Sequence, residues 1–371
     1  MILSKYPNLV QKEILDHMKY PDLLLLSFVS KNMKKLITAS QKKRFKSIRS
    51  IEYEYDRVDG TCVVYFLDEN KPLTKYHKRS SKTDDDMLMR IVKLEEDEND
   101  NFQANGKMID FRFSDDYKYP TACYVECDKE NVFQSIHNHF LDVFGNAIEY
   151  NWESPGWRNS EEFFIPFIPK LKNVSFCISM YLDGHFSDVR HFENFFSLSP
   201  VAKTIQLHVK RRMGPFNPDS KFYQAEAIHI ATPLIHSRDF LRHFQGRQFS
   251  LNCNRYEKSN LIDFVNRWKS GEAFQNLEYA QIRIIYNNRY LHRIFNEIGV
   301  KYIDANRQPP THALRFGFDW CYKNRTTHPI TSHAYVVRET DNRVASVQIS
   351  VISFLFGVWD KTEEEFLEMV E

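Results

Sequence analysis

The run Leu23-Leu24-Leu25-Leu26-Ser27-Phe28-Val29, set between Pro21 and Ser30, constrains this chain more than any other feature. A helix built from it has almost no polar face, and such a helix must be covered on several sides. Amphipathic segments flank it. Ahead of it, Val10, Ile14 and Met18 recur every four residues with Leu15 beside them, and Asn8 is placed to cap this helix after Pro7 fixes its entry. Tyr20-Pro21-Asp22 breaks the pattern, because proline excludes helix from the residue before it and Asp22 suits a cap. Behind it, Ser30 starts a third helix with Met33, Leu36 and Ile37 inward and Lys31, Lys34 and Lys35 outward. Three helices in fewer than about 50 residues bury too little surface to stand alone. Their apolar excess needs a surface elsewhere, in this chain or on another protein.

The whole chain has 371 residues, 42% of them hydrophobic and 15% aromatic, which is enough for one large core or two. The formal net charge of +1 gives no overall reason to seek nucleic acid or a membrane. That balance hides a local block: residues 1–50 hold eleven Lys or Arg against three Asp or Glu, a net of +8. The cluster Lys42, Lys43, Arg44 and Lys46 lacks interleaved aromatic platforms, so it reads as a solvated basic face and not as a nucleic-acid site. Six scattered cysteines and an N-terminus without a signal-peptide pattern point to a reducing compartment, cytoplasmic or nuclear, with free thiols. No apolar stretch reaches the ~18 residues of a membrane span.

Downstream, Ile51 to Leu67 alternates as a strand pair with Asp59-Gly60 as its turn. Residues 71–100 begin basic (Lys75, Lys78, Arg79, Lys82), turn acidic (Asp84, Asp85, Asp86, then Glu95 to Glu98) and read as a solvated charged loop. From Leu171 strands and helices take turns, with helices near Phe192, Leu241, Phe264 and Ile294, and Gly246, Gly271 and Gly299 mark helix ends or the turns into strands. Alternation implies parallel strands with right-handed crossovers. The expected class is α+β overall: three N-terminal helices, then an α/β domain of irregular, leucine-rich-repeat-like strand–helix units, with an ordinary doubly wound sheet as the alternative. Residues 334–349 read as a β-hairpin, Phe354 to Val358 as a further strand, and Glu363 to Glu371 as an exposed last helix.

Two resemblances follow. Tyr6-Pro7-Asn8-Leu9-Val10, Ile14-Leu15, Asp22-Leu23-Leu24 and Leu26-Ser27-Phe28-Val29-Ser30-Lys31 together resemble an F-box, with Met33 where many F-boxes carry Trp. The resemblance implies docking on the Skp adaptor and, through it, on cullin in SCF-type ubiquitin ligases. It implies adaptor-binding roles for Pro7, Leu9, Val10, Ile14, Leu15, Met18, Leu23, Leu26 and Met33. Leu261-Ile262-Asp263-Phe264-Val265 with Trp268, then Asn276-Leu277-Glu278-Tyr279, and the Arg338 to Val347 hairpin before Phe354, Phe356, Val358 and Trp359, look like the second type of F-box-associated domain of nematode F-box proteins. The implied organisation is an F-box at 1–48, a β-containing linker region at 49–135 with the charged loop, and a substrate-binding domain at 136–371. The implied partner of that last domain is an unidentified target protein. The implied function is substrate recognition for the ligase, with a non-degradative scaffold as the alternative.

Catalytic readings are weaker. His137-Asn138-His139 lies in a helical pattern, where two residues two apart do not share a face. Cys123 and Cys127 lack a second pair at zinc-finger spacing, and Cys321 with His328 and His333 lacks an orienting third group. The 11 glycines do not cluster into a phosphate loop. Trp268 and Trp359 sit on apolar stripes and read as core. The sequence thus points to no catalytic residue, cofactor or metal. A hydrolase or metalloenzyme with a helical cap is the remaining enzymatic reading.

Overall fold

The computed structural model describes residues 5–56, 58–68, 84–94, 109–112, 119–154, 167–180, 190–209, 215–230, 237–252, 258–283, 291–315, 326–350 and 352–370. The chain divides into two compact units, Met1–Pro155 with Pro166–Ser175, and Gly156–Ile165 with Phe176–Glu371.

The first unit opens with four helices, α1 (Asn8–Asp16), α2 (Tyr20–Val29), α3 (Lys31–Ser40) and the one-turn α4 (Lys42–Phe45). Pro7, not Asn8, occupies the cap of α1, and Asn8 is already helical. The cap of α2 is Lys19; Pro21 sits inside its first turn, where its missing N–H has no helical partner to lose, and Asp22 follows it there. Ser30 caps α3 as expected, its hydroxyl accepting the amide of Met33 at 3.1 Å.

A mixed sheet follows, made of β1 (Ile48–Tyr55), β2 (Cys62–Asp68), β3 (Met87–Lys93), β4 (Asp110–Arg112), β5 (Thr121–Tyr124) and β6 (Glu149–Ser154) in the order β6-β1-β2-β3-β5-β4. Strands β1 and β2 form the expected antiparallel pair, turning at Gly60 with a φ of 73° that favours glycine. The Tyr124 hydroxyl donates to the Gly60 carbonyl at 2.7 Å and pins the turn to β5. Strand β3 corrects the charged-loop expectation over part of its length: Met87, Leu88, Met89 and Ile91 are buried between β2 and β5. The rest of 71–100, apart from Asp84–Asp86 and Leu94, lies outside the described residues.

Helix α5 (Lys129–Phe144) crosses the sheet face formed by Tyr53, Tyr55 and Trp152, onto which it turns Phe133 and Phe140. The domain division expected after residue 135 falls inside this helix. His137, buried in the same layer, accepts from the Tyr53 hydroxyl at 2.8 Å through Nδ1 and donates from Nε2 to the Lys172 carbonyl at 2.7 Å.

The second unit contains most of β7 (Val174–Met180), then α6 (Arg190–Leu198), β8 (Thr204–Val209), β9 (Ala227–Ile230), α7 (Ser237–His243), β10 (Gln248–Asn252), α8 (Lys258–Lys269), β11 (Tyr279–Arg283), α9 (Leu291–Ile298) and β12 (Lys301–Tyr302). Then come the small pair β13 (Thr311–His312) and β14 (Ile330–Thr331), and finally β15 (Ala334–Val337), β16 (Arg343–Ile349), β17 (Ser353–Thr362) and α10 (Glu363–Glu368). Strands β8, β9, β10 and β11 are parallel and adjacent in chain order. A doubly wound sheet reverses its order at a switch point, and this run does not. Phe249 of β10 touches Phe240 of α7, Phe244 just past its end, and Phe264 of α8, so both helices cover one face of the sheet. Strand β17 joins β11 antiparallel, and β16 and β15 follow, each antiparallel to its neighbour.

Glycine at 246 is required by contact: a Cβ there would lie 2.0 Å from the Ala225 carbonyl oxygen. Trp268 is fully buried against Phe356, and its ring carries the Arg338 guanidinium at 5.3 Å. Trp359 is half-buried and donates from Nε1 to the Ser346 hydroxyl at 2.9 Å. The last helix is not simply exposed. Thr362 and Glu365 form a capping box that starts it, and Phe366 and Val370 are buried with Tyr335 and Val344.

Candidate docking surface

The N-terminal helices have an inner side fixed by their own chain and an outer side left open. On the inner side Leu15, Leu23, Leu24, Ile37 and Phe45 are buried. Tyr20 packs on Phe66 of β2 with ring centroids 4.5 Å apart, and Phe45 meets Phe144 of α5 edge-on at 4.9 Å. Phe28 stacks on His139 of α5 at 3.7 Å and lies 4.8 Å from Phe111 of β4. The Ser27 hydroxyl hydrogen-bonds His139 Nε2 at 2.6 Å, and Lys34 pairs with Asp142 at 2.6 Å. Within the module, the Gln41 amide donates to Asp16 at 2.6 Å, and Arg44 lies over the Tyr20 ring at 4.3 Å. Burial, aided by nearby Lys34 and opposed by Asp142, pushes the His139 pKa down to about 4. Burial also lowers His137 to about 4, against the Lys172 carbonyl that its Nε2 meets.

The outer side holds the exposed apolar residues. Leu9 is 78% exposed, Val29 71%, Tyr6 42% and Val10 40%. Pro7 is exposed too, while Ile14, Met18, Leu26 and Met33 are half-buried. These seven expected positions, Pro7, Leu9, Val10, Ile14, Met18, Leu26 and Met33, retain surface that a partner can cover. Leu15 and Leu23 do not, and the expectation that they face a partner is corrected: they are 0% and 1% exposed in the core of the first unit. The reason is helical geometry. Leu15 lies four residues beyond buried Gln11, on the face of α1 turned inward. Tyr6 and Val29 were not singled out from sequence. Val29 ends the apolar run, and only the fold tells which side of that run stays uncovered.

The catalytic candidates do not assemble. His137 and His139 have separate partners, Tyr53 and Lys172 for one, Ser27 and Phe28 for the other. Cys123 is buried in β5 and Cys127 exposed beyond it. Among the described residues no three His, Cys, Asp or Glu side chains are grouped as metal ligands, and no helix is long and apolar enough to cross a membrane. His328 and His333 are exposed, and Cys321 lies outside the described residues.

The helical module thus turns one set of apolar side chains inward and leaves another set exposed. A family model described as the F-box domain matches residues 7–45, the span from the α1 cap to the end of α4. The chain carries an F-box domain. Such domains typically bind Skp adaptors, and F-box proteins are generally non-catalytic adaptors in SCF ubiquitin ligase complexes. No curated protein and no solved structure matches the chain.

Proposed function

We propose that this chain is a substrate-recognition subunit of an SCF-type, cullin-RING ubiquitin ligase, acting in the cytoplasm or nucleus. The observation that carries the reading is a match to the F-box domain over residues 7–45, in a module that leaves the apolar side chains Tyr6, Leu9, Val10 and Val29 exposed. Those residues, with Pro7, Ile14, Met18, Leu26 and Met33, form the adaptor contact, and the second unit binds a target protein. The second unit is read as an F-box-associated domain of the second type with leucine-rich-repeat-like units. Its consecutive parallel strands β8 to β11, with α7 and α8 on one face, support that reading. The chain then contributes no bond chemistry. It raises the concentration of the target near the ligase, converting a bimolecular encounter into a local one.

Co-purification of the full chain with a Skp adaptor tests this. Wild type binds, and Val10→Asp, which puts a charge on the open apolar side, binds far more weakly while keeping its fold by circular dichroism. Absence of wild-type binding, or equal binding by the variant, refutes the proposal.

A further inference from the structure

The basic block of the docking module works against helix α3, although Lys42, Lys43 and Arg44 fall in the last turn of α4, where the helix dipole favours cations. Helix α3 begins with Lys31 and continues with Lys34 and Lys35, and the first turns of α1, α3 and α4 contain no acid. Cations near a helix N-terminus meet the positive end of its dipole. Lys31 and Lys35 are four residues apart on α3, a spacing at which like charges on a helix repel. Internal pairing does not relieve them. Lys5, Lys12, Lys19, Lys31, Lys35, Lys42, Lys43 and Lys46 are all exposed. Of the lysines in the module, Lys34 alone forms an ion pair among the described residues. Residues 51–371 carry the compensating −7 of a chain whose net charge is +1. The cations also border the open apolar side: Leu9 has Lys12 one helical turn along, and Val29 is two residues from Lys31.

Resting on the F-box reading above, we propose that this face selects a protein partner whose apolar docking groove has an acidic rim, and that the lysines accelerate its capture by long-range attraction. Apolar contact supplies the affinity, and complementary charge on a rim acts mainly on the association rate. Nucleic acid fits the face less well, because single-strand binding uses exposed aromatic platforms. Phe45 is buried in the module and Tyr20 is taken up between Arg44 and Phe66, so Tyr6 is the one exposed aromatic ring of Phe, Tyr or Trp type among the module's described residues, short of a row of platforms.

The test uses the full chain and the purified Skp adaptor, with association and dissociation rates measured at about 50 and about 500 mM NaCl, across which screening lengths fall severalfold. The expected result is a wild-type association rate that drops about tenfold or more with salt, against a nearly constant dissociation rate. The variant Lys31→Gln/Lys35→Gln/Lys42→Gln/Lys43→Gln should start near the high-salt wild-type rate and change little. Melting temperature serves as the control, and removal of repulsion leaves it equal or higher. Binding with a rate that ignores salt, or an unchanged rate in the variant, overturns this proposal and leaves the receptor reading standing. No binding by wild type overturns both. Wild-type retention by duplex DNA or by phosphatidylserine vesicles, lost in the variant while the adaptor rate is unchanged, gives the lysines another occupant and overturns the proposal.

Discussion

Replacing Leu9 and Leu15, two leucines six residues apart on α1, should separate docking from folding. Complete burial of a leucine side chain contributes about 1.5–3 kcal/mol. Leu9 is 78% exposed, so little more than a fifth of that burial exists in the free chain. Leu9→Ala should therefore cost folding no more than about 0.7 kcal/mol by the same area argument. If the open side is the adaptor contact, the uncovered part is buried on docking, and the same substitution weakens binding by about 1–2 kcal/mol, roughly five- to thirtyfold. Leu15, fully buried, should show the opposite: Leu15→Ala costs about 2–5 kcal/mol of stability through lost burial and a residual cavity. Urea unfolding and titration calorimetry with the Skp adaptor, run on both variants, give the two axes. Conditions for the binding arm must keep Leu15→Ala folded. A Leu9→Ala protein that unfolds like Leu15→Ala, or that binds as wild type does, refutes the assignment of the open side.

Acid should weaken the first unit through His137. Its folded pKa is lowered to about 4 by burial, so the unfolded chain takes up the proton first. Its contribution is complete above pH ~6.5 and is lost as pH falls toward 4, reaching roughly 3 kcal/mol at most for a shift of this size. His139 shifts in the same direction with more solvent contact. Urea midpoints at pH 7 and 4.5 should fall less in His137→Gln than in wild type; parallel slopes would exclude the mechanism. In the second unit, Asp341→Ala should destabilise by about 2 kcal/mol, at the low end because Asp341 itself is 40% exposed while the Arg338 side chain is 5% exposed. Asp341 accepts from Arg338 Nε and Nη2 at 2.8 and 2.5 Å, and these hydrogen bonds hold its carboxyl below the usual range. A double-mutant comparison with Arg338→Met, which removes the buried charge as well, should recover part of that loss. No recovery would show that the ion pair is not the source.

Features written in short contiguous chemistry were readable before the fold. Asp59-Gly60 between alternating segments gives the β1–β2 turn, and Ser30 ahead of α3 gives its cap. Leu261, Phe264, Val265 and Trp268 give the buried stripe of α8. Strand β9 was not readable. Ala227-Ile228-His229-Ile230 is four residues long, too short to display a period, and it is buried because β8 and β10 flank it. Strand β3 was hidden differently: the acids around Met87–Lys93 dominate any window wide enough to average, although the apolar run itself is central to the sheet. The docking residues fall between these cases. The apolar pattern of α1 and α2 marks which positions are interfacial, but it does not divide them between the chain's own sheet and a partner. That division depends on α5 and β2, which lie far along the sequence.

That dependence changes what the three helices need. Taken alone they bury too little to fold, and an outside surface was required. The chain itself supplies one: Phe66, Phe111, His139, Asp142 and Phe144 receive Tyr20, Phe28, Ser27, Lys34 and Phe45. The open side is therefore held in shape before any partner arrives. Docking onto a formed surface avoids the ordering entropy that a disordered segment must lose on binding. The same packing restricts where substitutions can be interpreted. A change at Leu15 or Phe28 alters the support of the open side, whereas a change at exposed Leu9 or Val29 leaves that support in place. Loss of binding on changing His139 or Phe144, neither of which lies in the F-box, would follow from the same logic, because these side chains hold α2 and α4 in place.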